Sequence, residues 1–351
     1  MADNRPSEAQ TLSSVERLVA GALPPRWSFR SAREPANGRR RADARWSLKA
    51  PDGTVATYAV EAKRALLGPQ LDQVLAQLAA LDGLPLVAAP YLSPTMRATL
   101  SDRDVSYADT TGNLRLVADS PGLYLERTGT SKDPWPSDET LRSLRGRGAG
   151  RALRALVDYR PPYGIRELGE RAQVPLGTMS RVLDLLDREG LVTRSPNGPV
   201  ASLDWEGAIR RWAQDYDFAR SNRVATYLEP RGLDAFASKL TELKPPAATT
   251  GAFAAQRFAP IAPPRQIAVY VDDAARIADR LRLRPADTGA NVVLAEPYDP
   301  VVFDRTTTRE GLRIVAASQL AVDLLTGPGR EPSEGNELLV WMAKNEAAWR
   351  A

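Results

Sequence analysis

The chain contains neither histidine nor cysteine in its 351 residues, and this absence narrows its chemistry more than any motif does. Zinc fingers, disulfides, a catalytic thiol, a Ser-His-Asp triad and a histidine general base are all excluded. Catalysis would have to draw on carboxylates, Lys, Arg, Tyr or hydroxyls, helped by a hard, oxygen-preferring metal such as Mg²⁺. One short pattern has that character. Glu61 and Lys63 lie two residues apart in a strand-like stretch from Thr54 to Lys63, and alternation along a strand puts both side chains on one face. Lysine is scarce here: six of the 47 basic residues, at 49, 63, 132, 239, 244 and 344. A position needing only positive charge would more often carry Arg in this chain. A compact ammonium whose pKa responds to burial is a different tool.

A second set of residues suits nucleic acid. Leu153, Leu156 and Val157 give an apolar face to a helix over Ala149–Tyr159, and Ile165, Leu168 and Ala172 do the same for a second, shorter helix. A third helix from about Thr178 to Glu189 turns Met179, Val182, Leu183 and Leu186 inward, with Thr178, Ser180, Arg181, Asp184 and Arg188 outward. Gly190 ends it, and Asn197-Gly198 is a hairpin signal between strands at 191–194 and 199–202. Helix, short helix, turn, helix, hairpin is the order of a winged helix-turn-helix, here at about residues 150–201. The third helix of such a unit enters the major groove with its N-terminal residues near base edges. The expected DNA-binding residues are therefore Thr178, Ser180 and Arg181, with Arg188, Arg194 and Asn197 beyond them and Arg147 and Arg151 on the first helix. The net charge of +4 is mild, but arginines crowd two segments, at 26–45 and 142–154, and such clusters suit phosphate contacts.

The elements that would hold Glu61 and Lys63 come from residues 10–130. The pattern predicts an amphipathic helix over Leu12–Leu23 carrying Glu16, an Arg-rich loop, and a strand over Ala44–Lys49 preceded by Asp43. A turn at Pro51-Asp52-Gly53 and the Glu61 strand follow, then a helix over Leu66–Leu81, a strand over Leu84–Ala89 and a helix over Ser93–Leu100. Between Val105 and Leu116 the reading is strand, turn, strand, with Asp109 capping the turn. A polar, Pro-rich stretch from Thr128 reads as a linker. After the hairpin, a helix over 204–216 leads to strands at 266–271, 291–295 and 313–317 and helices at 273–283, 318–325 and 338–350.

Asp, hairpin, Glu-x-Lys, then helix resembles the PD-(D/E)xK nuclease fold. That resemblance implies Asp43 and Glu61 as ligands of Mg²⁺, Lys63 as the catalytic lysine and Glu16 as an outer acidic residue. The family's Pro before the Asp is replaced by Ala42. Residues 150–345 resemble the AbiEi-like type IV antitoxins, in the order winged helix, connector, α/β domain opening at Thr250-Gly251-Ala252-Phe253, and in the closing stretch from Ala317 to Arg330. This second resemblance implies operator binding and a toxin or other protein partner at the C-terminal domain.

Together these readings predict a multi-domain α/β protein: a nuclease-like domain at 1–130, a winged helix-turn-helix with connector helix at 138–222, and an antitoxin-like α/β domain at 223–351. The expected function is sequence-specific binding of double-stranded DNA by an antitoxin-like transcription regulator, with the first domain serving DNA contact or homodimerisation. The alternative is a Mg²⁺-dependent DNA nuclease using Asp43, Glu61 and Lys63, targeted by the winged helix. No apolar run is long enough to span a bilayer and no signal peptide opens the chain, so a cytoplasmic location away from membranes is expected.

Overall fold

A computed structural model describes residues 5–33, 42–66, 68–135, 143–195, 199–242 and 247–351. Contacts divide the chain into two compact units, Met1–Arg142 with Leu183–Thr193, and Ser143–Val182 with Arg194–Ala351.

The first unit is built on one mixed sheet. Helix α1 (Glu8–Ala22) starts at a capping box in which Ser7 and Gln10 serve each other's backbone N–H. Strands β1 (Ser28–Arg33), β2 (Ala44–Lys49) and β3 (Val55–Ala62) form an antiparallel meander. Helix α2 (Gly68–Ala79) crosses to β4 (Leu84–Ala89), parallel to β3, and α3 (Pro94–Asp102) crosses to β5 (Ser106–Asp109), parallel to β4. Antiparallel β6 (Leu114–Ala118) and β7 (Leu123–Arg127) complete the order β1-β2-β3-β4-β5-β6-β7. Alternation sorts the strand residues to two cores. Trp46, Leu48, Tyr58 and Val60 pack with Leu12, Val15 and Val19 of α1, whereas Ala59 and Val87 pack with Val74 and Leu78 of α2 and Met96 and Leu100 of α3. The strand β1 falls where the sequence suggested a loop. It is an edge strand with almost every residue exposed, so it lacks the apolar alternation by which strands are recognised.

The second unit begins with α4 (Arg147–Asp158) and α5 (Ile165–Ala172), which ends at Gln173 in the left-handed conformation. Helix α6 (Leu176–Arg188) follows, and the division between the two units falls within it. Strands β8 (Val192–Arg194) and β9 (Val200–Leu203) form a two-stranded ribbon. Tyr163 bridges to Val200, exchanging both backbone hydrogen bonds. The connector is α7 (Trp205–Ala213) and α8 (Phe218–Ser221).

A second seven-stranded sheet fills the rest. Its elements are β10 (Arg223–Leu228), α9 (Leu233–Thr241), β11 (Ala247–Thr250), α10 (Gly251–Ala255), β12 (Ile267–Val271), α11 (Ala274–Arg280), β13 (Arg284–Pro285), β14 (Val292–Glu296), β15 (Thr307–Arg309), β16 (Leu312–Ile314), α12 (Ala317–Leu325), α13 (Glu331–Lys344) and α14 (Glu346–Trp349), with a 3-10 turn at Pro300–Phe303. The order is β13-β10-β14-β12-β11-β16-β15, with parallel pairs β12·β14 and β11·β16. One face buries Val269, Val271, Ile277, Phe236 and Leu294 under α9 and α11. Tyr270, from the opposite alternation, reaches Asp323 of α12. The terminal helix starts at Glu331 rather than 338; Pro332 in its first turn is the start signal. Gly335 lets α13 approach α12, since a Cβ there would lie 3.1 Å from the backbone N of Leu325.

Candidate nucleic-acid interface

The N-terminal half of α6 presents the residues expected to read DNA. Met179 and Val182 are fully buried, as are Leu183 and Leu186 further along. Arg181 is exposed, and its Nε donates to the Gly177 carbonyl at 3.0 Å, leaving the rest of the guanidinium outward. Thr178 and Ser180 are half-buried. Thr178 lies close to α4, where a Cβ at Gly148 would stand 3.2 Å from its Cγ2. Arg147 is exposed in the first turn of α4, and Arg194 is half-buried in β8. Asn197 lies outside the described residues.

Two arginines of the 142–154 cluster turn inward. Arg151 Nε donates to both oxygens of Asp299 at 2.9 and 3.0 Å. Arg154 is 2 % exposed, and its guanidinium donates to Asp158 at 3.0 Å and to the Val301 carbonyl, Gln319 Oε1 and Asp304 carbonyl at 3.2 Å each. Its spacing from Asp158, one helical turn, was visible in the sequence. The partners some 150 residues away were not. Arg188 is also withdrawn. Its Nε donates to the Asp184 carbonyl at 3.0 Å. Burial pulls its pKa down, against the raising effect of Glu189 and Asp184, with Arg5 and Asp133 of the same unit close enough to contribute.

At the end of β3, Glu61 and Lys63 do share a face, and Lys63 Nζ donates to Glu61 Oε1 at 2.6 Å. Asp43 joins them from the start of β2: its backbone N–H donates to Val60, and its Oδ2 accepts from the Ala62 N–H at 2.8 Å. Burial pushes the Glu61 carboxyl up and outweighs the Lys63 hydrogen bond that lowers it, with Asp43 and Glu8 raising it further. Burial also acts to lower the Lys63 ammonium, but the bond to Glu61 and the charges of Glu61 and Asp43 leave its pKa raised. Glu16 is not part of this group. It accepts from Ser31 Oγ at 2.6 Å and Arg33 Nη2 at 3.1 Å and so pins β1 to α1. The α1 acid whose charge reaches Glu61 and Lys63 is Glu8.

Glu61 is paired with Lys63, one Asp43 oxygen accepts from a backbone N–H, and among the described residues no group of three or more acidic side chains is gathered for a metal. The chemistry the arrangement provides is a partly exposed ion pair with an extra carboxylate beside it.

Residues 205–334, from α7 into α13, match the model of a family described as transcriptional regulators, AbiEi antitoxins of type IV toxin–antitoxin systems. The α4–β9 segment precedes the matched stretch. No curated protein and no solved structure shows a significant match to the chain. Among the described residues no helix is long and apolar enough to cross a membrane.

Proposed function

We propose that the protein is an antitoxin-type transcription regulator that binds double-stranded DNA through α6, with the α4–β9 segment acting as a winged helix-turn-helix. The observation that carries this reading is the exposed Arg181, flanked by Thr178 and Ser180, at the N-terminal half of a helix whose opposite face is buried. That is where a recognition helix meets base edges. The family match at 205–334 supports the regulatory role and, with it, a toxin or other protein partner at the C-terminal sheet. Arg147 and Arg194 are assigned to phosphates. Arg188 and Arg151 are left out of the DNA face because other groups engage them.

The test is fluorescence anisotropy against a randomised duplex pool, followed by titration of the selected site. Arg181→Ala should lose about 1–3 kcal/mol of specific binding if the guanidinium reads a base. Arg147→Ala should weaken all duplexes alike and flatten the salt dependence. Unchanged affinity and unchanged sequence preference in Arg181→Ala would remove α6 from the interface.

A further inference from the structure

We propose that a cleft lined by α4, α5 and the 300–305 turn is a binding site for a phosphate dianion, either free phosphate or the head of a phosphomonoester. The cleft has a volume of about 140 Å³ and is lined by Arg151, Arg154, Arg171 and Arg305, against two acids, Asp158 and Asp304. Asp158 is held by Arg154 Nε and the Ser318 hydroxyl and stands 4.0 Å from Arg305 Nε, and Asp304 is exposed. Beyond the lining, Asp299 pairs with Arg151 and Glu167 with Arg171, so what the cleft offers an anion is its spare N–H donors rather than a net excess of charge.

Of the four guanidiniums, Arg154 is fully bonded and forms the floor. Arg151 is engaged at Nε by Asp299 and Arg171 at Nη2 by Glu167 at 2.6 Å; Arg305 Nη2 donates to the Trp349 carbonyl at 3.1 Å and its Nε lies 4.0 Å from Asp158. Their remaining N–H groups make no hydrogen bond within the described residues. Tyr159 gathers two of them, with the Cζ atoms of Arg171 and Arg305 at 4.4 and 4.7 Å from its ring centroid. The two cations therefore stand no more than about 9 Å apart. A ring orients guanidiniums without cancelling their charge. Guanidinium forks with spare donors on the wall of one cleft match a tetrahedral oxyanion.

The cleft, about 140 Å³ and open to solvent, admits a phosphate group, and the ester portion of a monoester would extend outward from it. The cleft also joins two parts of the second unit. Arg171 and Gln173 belong to the end of α5, whereas Arg305 follows the 3-10 turn of the α/β region. Occupancy would tie α5 to that turn and so fix the pose of α6. This consequence for DNA rests on the function proposed above; the binding itself does not.

The experiment is isothermal titration of the full chain in phosphate-free, sulfate-free buffer, with inorganic phosphate and with a 5′-mononucleotide as separate titrants. The comparison variant is the double substitution Arg171→Gln and Arg305→Gln, which spares Arg151 and Arg154; circular dichroism checks its fold. Saturable one-site binding, weakened at least tenfold in the variant and not competed by chloride, is expected. Tighter binding of inorganic phosphate identifies the free ion as the ligand, and tighter binding of the nucleotide identifies the monoester. Absence of saturable binding by both titrants, or equal affinity in wild type and variant, overturns the proposal. Loss of duplex affinity in the variant with neither small phosphate binding also overturns it and assigns the arginines to the DNA backbone. Phosphate binding in a protein that binds no duplex would defeat the DNA reading and leave this site standing.

Discussion

The two units each hold a carboxylate with a cation close by, and they use it differently. In the first unit, Glu61 and Lys63 meet at a strand end where the lysine side chain is 29 % exposed, and Asp43 adds a second negative charge. In the second, Arg154 and Asp158 are nearly sealed, at 2 % and 4 %. They continue through Gln319 to Asp323, which accepts from Thr250, Gln319, Tyr216 and Tyr270. The first pair is open on one side only: Lys63 reaches solvent, whereas Glu61 is buried and its carboxyl is pushed up by desolvation. The sealed network takes several polar groups out of water, so each member depends on the others being present. A carboxylate with a cation therefore makes a half-open charged spot at a strand end in one unit and an internal brace from a helix in the other.

The largest effect should come from breaking the brace. Arg154→Met leaves Asp158 buried with Ser318 as its remaining close partner and strips Gln319 of a donor. A loss of about 3–5 kcal/mol is expected for removing one partner of a buried pair, read as a shift in urea midpoint of the transition reporting the second unit. A loss below about 1 kcal/mol would mean the network is not the brace described here.

Next comes pH. Burial pushes Asp323 up to about 6, despite four hydrogen bonds that lower it, and pushes Glu331 up to about 7 against the Ala252 N–H. Both pKa values are raised by folding, so the folded state holds more protons than the unfolded state between about pH 4 and 7. Stability should be highest below the unfolded values and should fall as pH rises through about 6 to 7. The Asp323 part is on the order of 3 kcal/mol at about 1.4 kcal/mol per unit. Urea midpoints at pH 5 and pH 8 register about half of that part, on the order of 1.4 kcal/mol, and Asp323→Asn should flatten the difference. A midpoint that rises with pH over this window would reverse the assignment.

The smallest effect belongs to the open pair. Lys63→Met should cost on the order of 1 kcal/mol, because Lys63 reaches solvent and Glu61, though buried, can take up a proton once its partner is gone. Neither wild type nor variant should nick plasmid DNA in Mg²⁺ or Mn²⁺. Metal-dependent nicking by wild type, lost in Lys63→Met with duplex binding retained, would make the open pair catalytic and sharpen the contrast in the other direction.

Legibility in the sequence follows the same contrast. The Glu61–Lys63 pair was readable because its geometry is local: two residues on one strand face. Strands β2, β4, β12 and β14 and helices α5 and α6 were readable from their period of apolar residues. The edge strand β1 was not, because its exposed residues carry no period, and β11, four small buried residues, offers too short a run. Glu16 looked like a site residue until its true partners, Ser31 and Arg33, appeared across the edge of the sheet. Arg154 looked like a phosphate contact because nothing local announces that Val301, Asp304 and Gln319 will enclose it. Asp323 gave no signal at all. Of its four donors only Gln319, one turn earlier on the same helix, is local; Thr250, Tyr216 and Tyr270 come from separate segments, and no local spacing encodes them.

Gly150 gives the helical segment a history. It stands in α4 where any β-carbon would come within 2.2 Å of the Tyr298 hydroxyl, in a turn after β14. Such a contact is a matched lock between two stretches of chain some 150 residues apart. A DNA-reading segment is often imagined as interchangeable cargo, moved between proteins by recombination. Here the fit is paired: a side chain at 150 would require the Tyr298 ring to move, and without that ring the demand for glycine would lapse.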